Sequence, residues 1–340
     1  MCWAMPLVPE FQTLISEPRE DYTLLDSGNG RKLESYGPYR FIRPELQAMW
    51  APATDDWKAD AEFVPGSDED GGGRWYYENQ AANTGWPLHW EEVTFTAQCT
   101  PFRHLGFFPD MDPVWRWMRG QLQTNTSVCP EEVSKPQAEM PTRRTEASHV
   151  VRDGPSHALS PSSPQTDEND KSCLNLFGYT GVGTLALSAA GAQMVHVDAS
   201  KKSVAQAREN AALSGMADRP IRWIVEDAAK FVAREVRRER RYDGILLDPP
   251  KYGRGPDGEV WRLEEDLPEL IANCRKLLDV NSRFLFLTVY AVRMSAMALG
   301  NLLNAHFADL PGKIEFGELA VREQARGHLL PTAIFARWSK

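Results

Sequence analysis

Three glycines and one aspartate are spaced in the sequence as in a nucleotide-binding turn. An apolar run ending at Phe177 is followed by Gly178, Gly181 and Gly183, and a second apolar run ends at Asp198, 20 residues after the first glycine. Glycines permit positive φ angles and let a ligand approach the backbone, and the helix that follows offers free N–H groups. A carboxylate at this distance can accept hydrogen bonds from both hydroxyls of a ribose. The pattern predicts half of a doubly wound nucleotide site.

The order of the glycines separates two classes of cofactor. A dinucleotide site needs GxGxxG, so that the pyrophosphate sits over the start of the helix, whereas this sequence has GxxGxG. That order favours S-adenosyl-L-methionine, which carries an adenosine and a methionine tail but no phosphates. The alternative is an ordinary tight turn between a strand and a helix. The strand before the turn and the acid after it favour the cofactor site.

A second motif follows the apolar strand Tyr242 to Leu247. Its two prolines end the strand abruptly and stiffen the loop. Because ligands of doubly wound sheets bind at the carboxyl ends of the strands, this loop is predicted to line the reaction centre. The candidate catalytic group consists of Asp248, Pro249, Pro250, Lys251 and Tyr252.

The remaining elements predict an α/β fold with a doubly wound, seven-stranded, Rossmann-like sheet. The last two strands, Ile314 to Arg322 and Thr332 to Trp338, follow each other without a helix between them. Such a pair fits the antiparallel end of a methyltransferase sheet, whereas a dehydrogenase would continue with alternating strands and helices. The helix Ala229 to Arg241 carries five arginines. The favoured interpretation is that they form a solvated helix face, and the alternative is that they contact the RNA backbone.

Composition divides the chain into three parts. Residues 1–120 form an aromatic-rich, β-containing α+β domain with eight of the 11 tryptophans, which are expected mainly in its core, and Asn29-Gly30 predicts a hairpin. Residues 121–170 contain no Phe, Trp or Tyr but six prolines and seven serines, so they are predicted to be a disordered linker or insertion. Residues 171–340 form the nucleotide-binding domain.

The net charge and the cysteine positions indicate which binding partners and which compartment suit the chain. The net charge of −9 disfavours a polyanion as partner of the whole chain, but residues 171–340 alone carry +4 and the first 170 carry −13. The five cysteines are scattered and lack CxxC spacing, which predicts no disulfide framework and no metal site and is typical of the cytoplasm. No apolar run approaches the length of a membrane span.

Four motifs, NLFGYTGVGT, HVDAS, EDA and DPPKY, resemble those of the class I S-adenosylmethionine-dependent methyltransferases. They look most like the branch related to bacterial large-subunit ribosomal RNA cytosine-C5 methyltransferases. The segment PFRHLGFFP, residues 101–109, is similar to that branch's entry into its catalytic domain. The resemblance implies an RNA substrate.

The resemblance also implies roles for individual residues. Asp248, Pro249 and Pro250 would line the methyl-transfer centre, with Lys251 and Tyr252 facing the substrate. The cofactor would be held by Phe177, Gly178, Tyr179, Gly181, Gly183, Asp198, Ala199, Asp227, Ala228 and Asp248.

One departure from that branch bears on the chemistry. The family places a cysteine after the strand that follows DPPK, because attack by C5 of cytosine needs a transient thiolate adduct. Here the place reads Thr288-Val289-Tyr290-Ala291. Direct transfer to a nitrogen requires only orientation and removal of a proton, and it is the favoured hypothesis. Three alternatives stay open: a methyltransferase for a protein or small molecule, a catalytically silent cofactor-binding subunit, and, disfavoured by the glycine order, a dehydrogenase.

Overall fold

Strands outnumber helices in the computed structural model, which describes residues 10–66, 72–101, 103–123, 171–290 and 293–340. The strands are β1 (Glu10–Ser16), β2 (Tyr22–Gly28), β3 (Arg31–Tyr36), β4 (Tyr39–Pro44), β5 (Ala61–Pro65), β6 (Gly73–Tyr77), β7 (Trp86–Trp90), β8 (Val93–Ala97), β9 (Ser172–Leu176), β10 (Gln193–Asp198), β11 (Ile221–Val225), β12 (Gly244–Leu247), β13 (Tyr252–Arg254), β14 (Val260–Arg262), β15 (Phe284–Tyr290), β16 (Lys313–Arg322) and β17 (Leu329–Ser339). The α-helices are α1 (Asp112–Gln123), α2 (Val182–Ala189), α3 (Lys201–Leu213), α4 (Ala228–Arg237), α5 (Leu263–Lys276) and α6 (Ala296–Phe307). Short 3-10 helices span Gln80–Asn83 and Pro109–Met111.

The largest sheet has the strand order β11-β10-β9-β12-β15-β17-β16-β1. Strands β11 to β15 in this order are parallel, and β17 runs antiparallel to both β15 and β16. The predicted α/β fold and its final antiparallel pair are therefore confirmed. The strand count differs from the predicted seven, because β1 adds an eighth strand within the described residues by pairing in parallel with β16.

A glycine lets β1 approach the sheet edge closely. A Cβ atom at Gly317 would lie 1.7 Å from the carbonyl oxygen of Gln12 in β1. Any larger residue at this position would push the two strands apart. The partner strands lie about 300 residues apart in the chain, so the short segment Glu10–Ser16 gives no local indication of where it pairs.

Both faces of the large sheet are covered, which explains the continuous apolar runs of its parallel strands. On one face, Cys173 and Leu246 pack with residues of α1, α2 and the N-terminal region. On the other, Leu174 and Ile245 pack with residues of α4, α5 and α6. The described residues up to Gln123 and from position 171 onward form one compact unit. The domain boundaries drawn from composition stay a prediction, and residues 124–170 lie outside the described part.

The N-terminal region forms a second sheet in the order β2-β3-β4-β5-β6 and a hairpin of β7 and β8. Asn29 and Gly30 join β2 to β3 with φ angles of 51° and 74°, so the predicted hairpin is confirmed. Trp86, Trp90 and Trp115 are buried, as expected for core residues. None of the described helices is long and apolar enough to cross a membrane.

Candidate active site

The glycine turn between β9 and α2 has an irregular backbone held by hydrogen bonds. Phe177, Tyr179 and Gly181 have positive φ angles of 59°, 48° and 82°. The N–H of Gly178 donates to the carbonyl of Val197 at 3.0 Å, and the N–H of Gly181 donates to the carbonyl of Gly178 at 3.0 Å. The turn is thereby tied to the end of β10. Two non-glycine residues in the left-handed region indicate local strain, which is common at ligand sites.

Asp198 at the end of β10 is fixed beside this turn. Its two carboxylate oxygens accept hydrogen bonds from the backbone N–H groups of Tyr179 at 2.9 Å and Ser200 at 2.8 Å. Burial raises the pKa of Asp198, and these two N–H groups oppose that shift by stabilising the carboxylate. Each oxygen keeps a further lone pair. The carboxylate can therefore still accept hydrogen bonds from two hydroxyls.

A buried polar chain supports the turn from below. The Asn175 amide donates to Thr184 Oγ1 at 2.9 Å, and Thr184 Oγ1 lies 2.9 Å from His196 Nδ1. A Cβ at Gly178 would lie 2.4 Å from His196 Cε1, so the turn rests directly on the imidazole. Burial lowers the pKa of His196 to about 3, which keeps the ring neutral. Sequence reasoning missed this chain, although polar residues inside two apolar strands were a signal.

A cleft, called the first cleft below, lies beside the turn, and roughly 400 Å³ of space that is partly open to solvent lies between its lining residues. The hydroxyl of Thr180 donates to the carbonyl of Gly106 at 2.7 Å and so ties the loop before α1 to the turn. The lining comes from this loop, α1, the turn and β12: Phe107, Phe108, Met111, Trp115, Asn175, Phe177, Gly178, Tyr179, Thr180, Val182, Gly183, Leu246 and Asp248.

The carboxyl group of Asp248, which lines the first cleft, interacts with that of Asp110, which does not line it. Asp248 follows β12, and Asp110, only 3% exposed, lies in the 3-10 helix before α1. The hydroxyl of Thr332 donates to Asp110 Oδ2 at 2.7 Å. Burial, and after it the negative charge of Asp110, hold the pKa of Asp248 well above its ordinary value, and burial also raises the pKa of Asp110. Because two like charges are costly here, the pair keeps a proton at pH values where exposed aspartates are ionised.

The structure brings most of the predicted cofactor residues together. Phe177, Gly178, Tyr179, Gly183 and Asp248 line the first cleft. As described above, Asp198 is bonded to the turn, and Gly181 lies within the turn; Ala199 follows Asp198 directly.

The other predicted residues lie elsewhere. Asp227 caps α4, where its side chain accepts the N–H of Lys230 at 2.9 Å, and Ala228 is buried in the core, so its contribution to a ligand is limited to its backbone. Lys251 and Tyr252 are exposed and line no part of the first cleft. Pro249 is buried and Pro250 exposed. The roles assigned to these residues stay predictions.

The cysteines in the described ranges all lie away from the first cleft. Burial raises the pKa of the Cys99 thiol to about 11 and also raises the pKa values of Cys173 and Cys274. These three are therefore thiols at neutral pH and unsuited to thiolate attack. Cys2 and Cys129 lie outside the described residues. Within those same described ranges, no group of three or more His, Cys, Asp or Glu could hold a metal ion.

Fold and site together define a class of protein. A parallel sheet with an antiparallel end, a glycine turn after the first strand of residues 171–340 and a fixed acid at the end of the second are the features of the Rossmann-like nucleotide-binding enzymes. A solved structure places the chain within this class. The S-adenosylmethionine-dependent methyltransferase of Agrobacterium tumefaciens is 38% identical, with a TM-score of 0.79 over 98% of this chain and 95% of that one. The chain belongs to the S-adenosylmethionine-dependent methyltransferases, which confirms the predicted family and cofactor.

Shorter matches cover the region around the glycine turn. The family model described as "Conserved hypothetical protein 95" matches residues 159–261. Ribosomal RNA large subunit methyltransferase I of Aeromonas salmonicida (strain A449) is 32% identical over 112 residues, 33% of this chain and 26% of that protein. Ribosomal RNA large subunit methyltransferase K/L of Shewanella frigidimarina (strain NCIMB 400) is 30% identical over 118 residues, 34% of this chain and 16% of that protein. The matches thus span about a quarter or less of these curated relatives.

Proposed function

We propose that the protein methylates RNA by direct transfer of a methyl group to a nitrogen, with no covalent enzyme intermediate. One observation carries the proposal: Asp248, a half-buried carboxyl with a raised pKa, lines the cleft beside the glycine turn, whereas the described cysteines lie elsewhere. A nitrogen acceptor needs a group that orients it and accepts its proton, and a carboxylate can do both.

The residues of the first cleft fit S-adenosylmethionine. Gly178, Tyr179, Gly181 and Gly183 would hold its methionine part and Asp198 its ribose, since the Asp198 oxygens keep lone pairs for two hydroxyls. The adenine would meet the side chain or backbone at Asp227, Ala228 and Ala199. When bound, the cofactor supplies a methyl group on a positively charged sulfur.

Asp248 then has two tasks. Its carboxylate accepts a hydrogen bond from the acceptor N–H, which fixes the nitrogen in the attacking position. Its raised pKa brings its basicity closer to the operating pH, which improves proton acceptance. Pro249 and Pro250 stiffen the backbone that carries this carboxylate.

RNA as the substrate is supported by the names of the curated relatives and by the charge of residues 171–340, which is +4. Part of that charge comes from the arginines at and after the end of α4, of which Arg234 and Arg238 are paired with glutamates. We further propose that the protein acts in the cytoplasm, since its scattered cysteines suit a reducing compartment.

The test is transfer of labelled methyl groups from S-adenosylmethionine to total RNA and, separately, to total protein. We expect label in RNA, released by nuclease as an N-methylated nucleoside. Asp248→Asn should lower turnover by about 10² to 10⁴-fold with little change in the Kd of S-adenosylhomocysteine. The exposed Asp218→Asn is the matched control and should leave turnover unchanged. Label confined to protein, or to C5 of a pyrimidine, would contradict the proposal.

A further inference from the structure

A second cleft, of roughly 550 Å³, adjoins the first. The two share Phe107 and Phe108, and the second continues past them to Asp110, Tyr290 and Thr332. Its lining also includes the partly exposed side chains of Lys32 and Arg103. The glycine-turn residues line the first cleft only, so the second cleft lies apart from the predicted cofactor position.

Aromatic rings form the wall between the clefts. The ring of Phe108 lies 5.2 Å from that of Tyr290, tilted by 39°, and 5.8 Å from that of Tyr179 in the glycine turn. The ring of His104 lies 5.0 Å from Phe108. Planar ligands such as nucleobases pack well against aromatic faces, and base stacking on such side chains is a common mode of RNA recognition.

Two polar groups in the second cleft have unused hydrogen-bonding capacity. The Tyr290 hydroxyl is buried and interacts with the Asp110 carboxyl, but among the described residues it makes no hydrogen bond of normal geometry. It lies near Asp110 and Asp248, whose charges act with burial to raise its pKa, so it remains a neutral donor. Asp110 Oδ2 accepts the hydrogen bond from the Thr332 hydroxyl, so Oδ1 can accept a hydrogen bond from a ligand. A buried hydroxyl without a well-placed acceptor is costly, and a ligand atom at hydrogen-bond distance would remove that cost.

The charges around the cleft are unevenly paired. Arg43 and Lys32 form ion pairs with Glu34 at 2.7 and 3.6 Å. The guanidinium of Arg103, by contrast, makes no ion pair in the described part of the chain. A spare guanidinium beside a cleft with aromatic walls fits a phosphate next to a bound base.

We propose that the second cleft binds the acceptor nucleobase of the RNA, that Asp110 and Tyr290 select a base with an exocyclic amino group, and that Arg103 binds the adjoining phosphate. The inference rests on the proposed function. An amino group donates a hydrogen bond to the Asp110 carboxylate, and the Tyr290 hydroxyl donates to a ring nitrogen or carbonyl next to it. Uracil has no amino group, and in the pose of cytosine it would turn its O4 carbonyl oxygen, which carries a like partial charge, toward the carboxylate.

The experiment is a calorimetric titration of the full chain, saturated with S-adenosylhomocysteine, with the 5′-monophosphates of adenosine, cytidine, guanosine and uridine. We expect at least one amino-bearing nucleotide to bind about tenfold more tightly than the uridine nucleotide. Asp110→Asn should abolish that preference. Tyr290→Phe should weaken binding about fivefold while the melting temperature changes little, because the hydroxyl removed makes no hydrogen bond of normal geometry.

Arg103→Ala should weaken binding of the nucleotide but not of the matching nucleoside, and Arg208→Ala, on the exposed side of α3, serves as the matched control. Equal binding of all four nucleotides, no binding at all, or wild-type affinity in Asp110→Asn and Tyr290→Phe would overturn the inference. If RNA is nevertheless methylated, the inference alone is wrong. If label enters only protein and no nucleotide binds, the proposed function is wrong as well.

Discussion

Asp248 and Asp110 show how one carboxyl group can tune another. Asp110 is buried and Asp248 is half-buried; desolvation raises the pKa of Asp248, and the charge of Asp110 adds to that shift. A carboxyl that titrates closer to neutrality is a better proton acceptor than an exposed aspartate. Under the proposed function, Asp110 would act on the reaction through the pKa of Asp248, without touching the methyl group.

This coupling predicts the acid limb of the pH profile. The kcat should fall as the pH drops through the raised pKa of Asp248, because a protonated carboxyl cannot accept the acceptor's proton. Asp110→Asn removes the neighbouring charge, so the limb should move to lower pH. The measurement is kcat against pH at saturating substrate, with Asp218→Asn as control. A limb that stays in place in Asp110→Asn would show that the two carboxyls do not interact.

The same raised pKa predicts an effect on folding. The native state keeps a proton on Asp248 at pH values where the unfolded state has lost it, so the free energy of unfolding should fall as the pH rises from the unfolded pKa through the folded one. Asp248→Asn removes this loss of unfolding free energy. The loss amounts to about 1.4 kcal/mol for each unit by which the pKa of Asp248 in the folded state exceeds that in the unfolded state. Urea unfolding of both proteins at several pH values is the measurement. If the difference in unfolding free energy between Asp248→Asn and the wild type does not grow as the pH rises, the explanation is contradicted.

At the level of elements, the glycine turn depends on close packing as well as on its backbone angles. Gly178→Ala should destabilise the protein by about 1–3 kcal/mol and weaken S-adenosylhomocysteine binding, because its Cβ would lie 2.4 Å from His196 Cε1. Gly191→Ala is the control, since its φ is 93° but no atom lies within 4 Å of its added Cβ. It should cost only about 1 kcal/mol and leave binding intact. Equal effects of both substitutions on ligand affinity would contradict this view of the turn.

The elements were predictable where chemistry and local pattern agree. The glycine spacing, Asp198 and the DPPK loop were visible in the sequence because each is a short contiguous motif. The boundaries of the elements were less predictable. Helix α4 ends at Arg237 rather than at the predicted Arg241, because Glu239 takes a positive φ of 54°. Asp227 directly precedes the helix and is a residue type that commonly caps one, yet the resemblance assigned it only a cofactor-binding role; its side chain caps α4.

For the whole molecule, the second cleft was beyond sequence reasoning because its walls come from distant parts of the chain. Asp110, Tyr290 and Thr332 meet only when the loop before α1 packs against the ends of β15 and β17. The segment PFRHLGFFP drew attention as a resemblance, yet its composition did not reveal Phe108 as the wall between two clefts. Long-range packing of this kind leaves no periodic trace in a sequence.

The composition of residues 121–170 gives a prediction for the whole chain. Replacing residues 124–170 by a flexible glycine-serine linker should leave the melting temperature and the Kd of S-adenosylhomocysteine unchanged, because this segment has too few apolar groups to stabilise a core. The cut starts after Gln123, where α1 ends. A marked fall in melting temperature would show that the segment packs on the rest of the protein.

The central claim is that methyl transfer to RNA proceeds without a cysteine nucleophile. Its most direct test is the rate of methyl transfer to RNA by a variant in which Cys173 and Cys274 are replaced by Ala and the other three cysteines by Ser. We predict a rate close to that of the wild type, apart from a loss of stability at the two buried positions. A rate reduced to background, restored by returning one cysteine, together with a covalent complex on 5-fluorocytosine RNA that needs that same cysteine, would contradict the claim.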